Sequence, residues 1–189
     1  MRVLLLWLAF LGPVQALDES VQAAIQRMRA PALEKPMRTL TDVGRPVVVF
    51  GGLLLVAAFD AAAGPSTARR ALAALIPTNL VVEGLKRAIG RTRPDGDAKR
   101  SNSSFPSSHA ANAFALAFVL ARRYRRAAAV FVLLAAAVAF SRMYLNRHYI
   151  SDAVAGAAIG TACAWAVARW MTARAVRRPM PGPDRKGFA

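Results

Sequence analysis

The chain has 189 residues, room for one domain with one continuous core, and sets 26 Lys and Arg against 10 Asp and Glu for a net charge of +16. With 56% of residues apolar and 19% charged, the composition excludes a disordered basic chain and shifts the partner implied by the charge from nucleic acid towards a membrane. The one cysteine, Cys163, excludes an intrachain disulfide and a multi-cysteine zinc site; in its Ala-rich run it reads as a packed, inert thiol.

Met-Arg followed by the apolar run Val3 to Leu11, Gly12-Pro13 and then Val14-Gln15-Ala16 has the proportions of a signal peptide cut after Ala16. The rival is a short uncleaved first span, although Val3 to Leu17 falls below the roughly 20 residues that cross a bilayer core. Either way, residue 18 onward is expected to start outside the cytosol. Residues 18 to 46 mix acids, bases and apolar positions such as Val21, Ile25 and Met28, which predicts an amphipathic helix ending near Pro31. No chemistry is evident in that stretch.

Four apolar stretches follow, roughly 47 to 63, 71 to 89, 110 to 140 and 153 to 171, the third split by Arg122-Arg123-Tyr124-Arg125-Arg126. The expected fold is therefore all-α, a membrane-embedded bundle of five to six helices with its site at one membrane face. Gly156 and Gly160, spaced for close helix packing, fit that picture. Residues 1–16 are assigned to the leader or first span, 17–173 to a single domain, and 174–189 to a basic, disordered tail rich in Pro and Gly. No glycine-rich phosphate loop or internal repeat is present to suggest a nucleotide-binding fold.

Both histidines lie in polar connections between apolar stretches, among groups able to hold an anion. Lys86 and Arg93, seven residues apart, would share one helical face about 10 Å apart and converge on a tetrahedral anion before Pro94 stops the helix. Phe105-Pro106-Ser107-Ser108-His109 precedes an Ala-rich helix. With Pro106 at the first helical position and Ser103 or Ser104 as cap, free backbone N–H groups would face the anion. His148 and Asp152, four apart, would let the carboxylate take one ring nitrogen and leave the other as a nucleophile, while Arg142 offers a planar fork of donors.

Lys-x6-Arg-Pro at 86 to 94, Pro-Ser-Ser-His at 106 to 109 and Ser-Arg-x5-His-x3-Asp at 141 to 152 together resemble the three-part signature of the type 2 phosphatidic acid phosphatase superfamily, the lipid phosphate phosphatases. The resemblance extends over residues 31 to 171. It departs at Ser108, where the family usually has Gly; Ser there is strained if the position needs positive φ and costs little in a helical first turn. The resemblance implies a metal-independent phosphatase without a cofactor, in which His148 attacks phosphorus and Asp152 steadies it. By the same resemblance His109 protonates the leaving group and later activates water, and Lys86, Arg93, Ser107, the Ser108 backbone N–H and Arg142 hold the phosphate.

All three motifs would lie on one membrane face, with 122 to 126 on the other. The bases divide almost evenly between the two sides, so charge counting does not fix orientation, and the site is expected on the exterior, periplasmic face of the inner membrane. The expected partners are a lipid phosphate or diphosphate and the membrane, with no nucleic acid and no obligate protein. The substrates open at this point are undecaprenyl diphosphate, phosphatidylglycerol phosphate, phosphatidic acid and lipid A phosphate. The alternatives are a secreted soluble acid phosphatase or vanadium haloperoxidase sharing the signature, and a non-enzymatic basic membrane protein.

Overall fold

A computed structural model describes residues 2–44, 46–60, 62–97 and 102–176. Seven α-helices account for most of these: α1 (Arg2–Arg27), α2 (Pro31–Val43), α3 (Pro46–Phe59), α4 (Gly64–Ile89), α5 (Ser108–Arg123), α6 (Ala128–Tyr144) and α7 (Ile150–Val176). No strand occurs among the described residues. The last five correspond to the five apolar helices expected. The amphipathic stretch is two elements, because α1 runs unbroken past Ala16 to Arg27 and α2 starts at Pro31, where proline suits a first helical position. Residues 174–176, assigned from sequence to the tail, are the last turn of α7, and 177–189 lie outside the described residues.

The interior is made of small side chains. Ala71 and Ala74 of α4, Ala110, Ala111, Ala115 and Ala117 of α5, Ala135 and Ala139 of α6, and Ala153 and Ala164 of α7 are all buried. Long apolar side chains point outward instead, including Leu54, Ile76, Leu80, Leu133 and Val154. Such an arrangement suits a lipid surround, where close packing of small residues replaces the hydrophobic drive towards the centre. Helix α5 sits centrally against α4, α6 and α7. Its approach to α7 requires the two glycines: a side-chain carbon at Gly156 would collide with the Ser107 carbonyl, and one at Gly160 with that of Ala111. Two segments, Arg125–Tyr144 and Ile150–Arg174, are long and apolar enough to cross a membrane.

Because α4 to α7 alternate in direction, the C-termini of α4 and α6 and the N-termini of α5 and α7 share one end of the bundle. At the opposite end Asp60 accepts from Tyr124 Oη at 2.7 Å and pairs with Arg123 at 3.1 Å, anchoring the arginine-rich connection. Helices α1 and α2 close the first end. Gln22 donates to the Met143 carbonyl at 3.0 Å and Gln26 to that of Tyr144 at 3.2 Å, satisfying carbonyls left open where α6 stops. The fully buried Tyr144 hydroxyl accepts from Ala30 N at 2.8 Å between the two helices.

Candidate active site

Lys86 lies in the last turn of α4, but the helix does not run on to Pro94. Gly90 adopts the left-handed conformation (φ 63°) and its N–H returns to the Lys86 carbonyl at 3.0 Å, a glycine cap that ends the helix at Ile89. Arg93 is therefore on a loop rather than on the helical face of Lys86. Its Nε donates to the Asn102 carbonyl at 2.7 Å and its Nη2 to Asn102 Oδ1 at 2.6 Å, while Asn102 is itself held by Asp97 at 2.6 Å. Burial acts first on Arg93, and neighbouring Arg147 adds to it, so its pKa lies below the ordinary arginine value.

The serine-rich segment is organised differently from the sequence expectation. Pro106 precedes the helix, and the cap of α5 is Ser107, whose Oγ accepts from Ala110 N at 3.4 Å. Ser107 is fully buried, with its own N–H on the Asp152 carbonyl at 3.0 Å; as a cap its Oγ only accepts, so its O–H is not spent by that bond. Ser108 and His109 form the first turn of α5. Ser108 has no positive φ, so serine in place of glycine carries no backbone strain.

His148 precedes α7 and is 2% exposed. Its Nδ1 stands 2.7 Å from the Ser104 carbonyl, which can only accept, so the proton belongs on Nδ1 and the lone pair on Nε2. Asp152, expected to take that ring nitrogen directly, is 3.8 Å from it. Its carboxylate instead receives Tyr149 N at 2.8 Å, Ser104 Oγ and Arg91 Nη1 at 2.7 Å. The carboxylate thus ties together the first turn of α7, the serine segment and the loop after α4, and it stands behind a histidine already oriented by Ser104. Burial, opposed by Asp152 and reinforced by Arg142 and Arg93, lowers the His148 pKa from 6.5 to about 4.

These motifs open onto one cavity of about 570 Å³ lined by Lys86, Arg93, Ser108, His109, Arg142 and His148, with Asn102, Arg29 from the α1–α2 connection, and Arg38, Thr41 and Asp42 from α2. Arg93 spends two donors on Asn102, whereas Arg142 and Lys86 keep donors in reserve. Among the described residues Arg142 Nη1 reaches only Thr41 Oγ1, at 3.4 Å, and its buried Nε has no partner. Lys86 Nζ makes a single bond among the described residues, to the Ser103 carbonyl at 3.3 Å. Unspent donors in a buried place carry a desolvation cost that an anion would relieve.

Sequence reasoning missed four contributors. Asp18 of α1, fully buried, accepts from Ser151 N at 2.9 Å, Ser151 Oγ at 2.6 Å and Arg91 Nη2 at 2.7 Å, capping α7 from another helix. Arg91 spans Asp18 and Asp152 and lies over the Tyr149 ring at 4.3 Å. Ser104 orients His148, and Thr41 meets Ser141 at 2.8 Å beside Arg142. Arg91 was visible as an extra base inside the first motif; Asp18 had no local signal.

The sequence profile of the PAP2 superfamily matches residues 67–175. A lipid A 4'-phosphatase of Bacteroides thetaiotaomicron is 36% identical over 117 residues, 52% of each chain, and a lipid A 1-phosphatase of Porphyromonas gingivalis is 38% identical over 84 residues, 42% of this chain and 18% of that one. The chain thus spans about half the length of the first curated relative and less of the second. Among solved structures, Aquifex aeolicus LpxE superposes with a TM-score of 0.72 at 24% identity, covering 81% of this chain and 95% of that one. A transmembrane PAP2 type phosphatidylglycerolphosphate phosphatase from Bacillus subtilis superposes with a TM-score of 0.71 at 24% identity, covering 88% and 90%.

Proposed function

The chain belongs to the PAP2 superfamily, and from that membership and the geometry of its site we propose that it is a multi-pass inner-membrane phosphatase that removes phosphate from a lipid phosphate or diphosphate at the exterior, periplasmic face. The observation that carries the reading is the pairing of a histidine whose Nε2 lone pair is fixed by the Ser104 carbonyl with the buried Arg142, whose Nε has no partner among the described residues.

In this reading Nε2 of His148 attacks phosphorus, forming a P–N bond as the bond to the leaving oxygen breaks, and His109 delivers a proton to that oxygen. His109 then takes a proton from water, which attacks the phosphohistidine and releases inorganic phosphate. Lys86, Arg93, the Ser107 hydroxyl, the Ser108 N–H and Arg142 oppose the charge gathering on the equatorial oxygens. Asp152 stabilises the imidazolium through its field, while Ser104 holds the tautomer. No step calls on a metal or cofactor. The names of the curated relatives make lipid A phosphate the first substrate to try.

The test is phosphate release by wild type and His148→Ala on phosphatidic acid, phosphatidylglycerol phosphate, undecaprenyl diphosphate, lipid A phosphate and a soluble monoester. Release from at least one lipid that disappears in His148→Ala is expected. Hydrolysis of the soluble monoester alone would favour a secreted acid phosphatase, and release unaffected by His148→Ala would reject the site.

A further inference from the structure

Another groove of about 150 Å³, lined by apolar residues, lies between α3, α5 and α6, and its Gly44 end stands beside His109 of the catalytic cavity. On α5 it is lined by Ala113, Leu116, Ala117 and Leu120, which follow His109 by four, seven, eight and eleven residues and so lie on the face that carries His109 into the cavity. On α6 it is lined by Val138, Ala135 and Phe131, which precede Arg142 by four, seven and eleven residues and share its face. One strip of each helix is therefore polar at the cavity end and apolar below it. Gly44 sits at the joint: a side-chain carbon there would stand 2.9 Å from His109 Cδ2 and 3.4 Å from Val138 Cγ1. The groove is open because Ala113, Ala117 and Ala135 are small.

Resting on the proposed lipid phosphatase reading, we infer that this groove receives the hydrocarbon chain next to the scissile phosphate, so that α5 and α6 read the substrate's tail as well as its headgroup. The chemistry of the site fixes the direction. In an in-line displacement the leaving oxygen is opposite the attacking His148 and beside His109, and the lipid is the leaving group. The chain must depart from the His109 side, where the apolar strip begins. No polar side chain lines the groove, so it recognises hydrocarbon by burial and tests length and branching rather than headgroup identity.

The test compares kcat/KM for a long-chain phosphatidic acid in mixed micelles and for p-nitrophenyl phosphate in the same detergent. Ala117→Phe fills the groove about 12 Å along α5 from His109, and Leu134→Trp, at a half-exposed rim position of α6, narrows its mouth without disturbing the core. Leu133→Trp, 68% exposed on the opposite face of α6, is the control. Both groove variants should lose about tenfold or more on the lipid while keeping p-nitrophenyl phosphate hydrolysis within about twofold, and the control should change neither. Equal losses on both substrates, or no loss on the lipid in either groove variant, would overturn the inference. Absence of His148-dependent release from any lipid by wild type would instead overturn the reading beneath it, so the two failures are distinct.

Discussion

Replacing Arg91 with Met removes the one group that spans Asp18 and Asp152, two carboxylates whose side chains are 1% and 0% exposed. Both ion pairs are at 2.7 Å, and a third bond, to Ser151 Oγ at 2.8 Å, is lost with them. Breaking a buried pair by deleting one partner costs roughly 3–5 kcal/mol, because the remaining charge stays buried. Arg91 is itself 24% exposed, so water enters and the lower end, about 3 kcal/mol, is the better expectation for the double loss. For a chain of this size that is a fall in Tm of about 6–12 °C, read by tryptophan fluorescence in detergent micelles. Arg91→Lys keeps the charge without the fork that reaches two carboxylates, and should recover part of the loss. Because Arg91 does not line the cavity, phosphatase activity of the folded variant should fall mainly in kcat, through a displaced Asp152. A Tm within about 2 °C of wild type together with unchanged kcat would refute the reasoning that the bridge holds α1, the loop after α4 and α7 in register.

Three further outcomes follow from the same geometry. The His148 pKa of about 4 lies below the ordinary 6.5, so the imidazole is neutral and nucleophilic at neutral pH and becomes protonated only as pH falls through about 4. With two histidines in the chain, ring NMR of a His109→Asn variant should show one imidazole titrating near that value; a midpoint near 6.5 would contradict the burial argument. Gly160→Leu should force α7 off α5, costing about 1–3 kcal/mol or more by overpacking and lowering activity, since those helices carry Asp152 and His109; unchanged stability and rate would show the approach is not tight. His109→Ala should slow esters with poor leaving groups far more than those with good ones, by about 10²-fold or more for the poor ones, and equal slowing across a leaving-group series would remove its role as proton donor.

The three motifs were legible because each is local: fixed spacings place Lys86, Arg93, Ser108, His109, Arg142, His148 and Asp152 at helix ends that alternating helices must gather at one end. What was not legible depends on contacts between distant segments. The stop at Ile89 was read from Pro94 although Gly90 already supplies a left-handed cap. Asp152 was expected on the His148 ring by helical spacing, yet His148 lies before α7 and finds the Ser104 carbonyl first. The cap of α5 was read as Ser103 or Ser104, but Ser107 Oγ takes that place by accepting from Ala110 N, a bond that leaves its O–H for an anion. Asp18 had nothing around it in sequence to mark it, since its partners, Arg91 and Ser151, lie 73 and 133 residues away. The amphipathic pattern of residues 18 to 46 reads as a surface helix because nothing local shows that Gln22 and Gln26 hold the end of α6 or that Arg38 and Thr41 line the cavity.

The most direct test of the account is to trap the covalent intermediate. Purified enzyme mixed briefly with substrate carrying a radiolabelled phosphoryl group and quenched in denaturant at high pH should hold label that is stable to alkali, labile to acid, and located by peptide mapping on His148. Label absent from His148→Ala and accumulated in His109→Ala with a good leaving group would bear out nucleophile and water activator in one experiment. Label on another residue, or undiminished in His148→Ala, would contradict it.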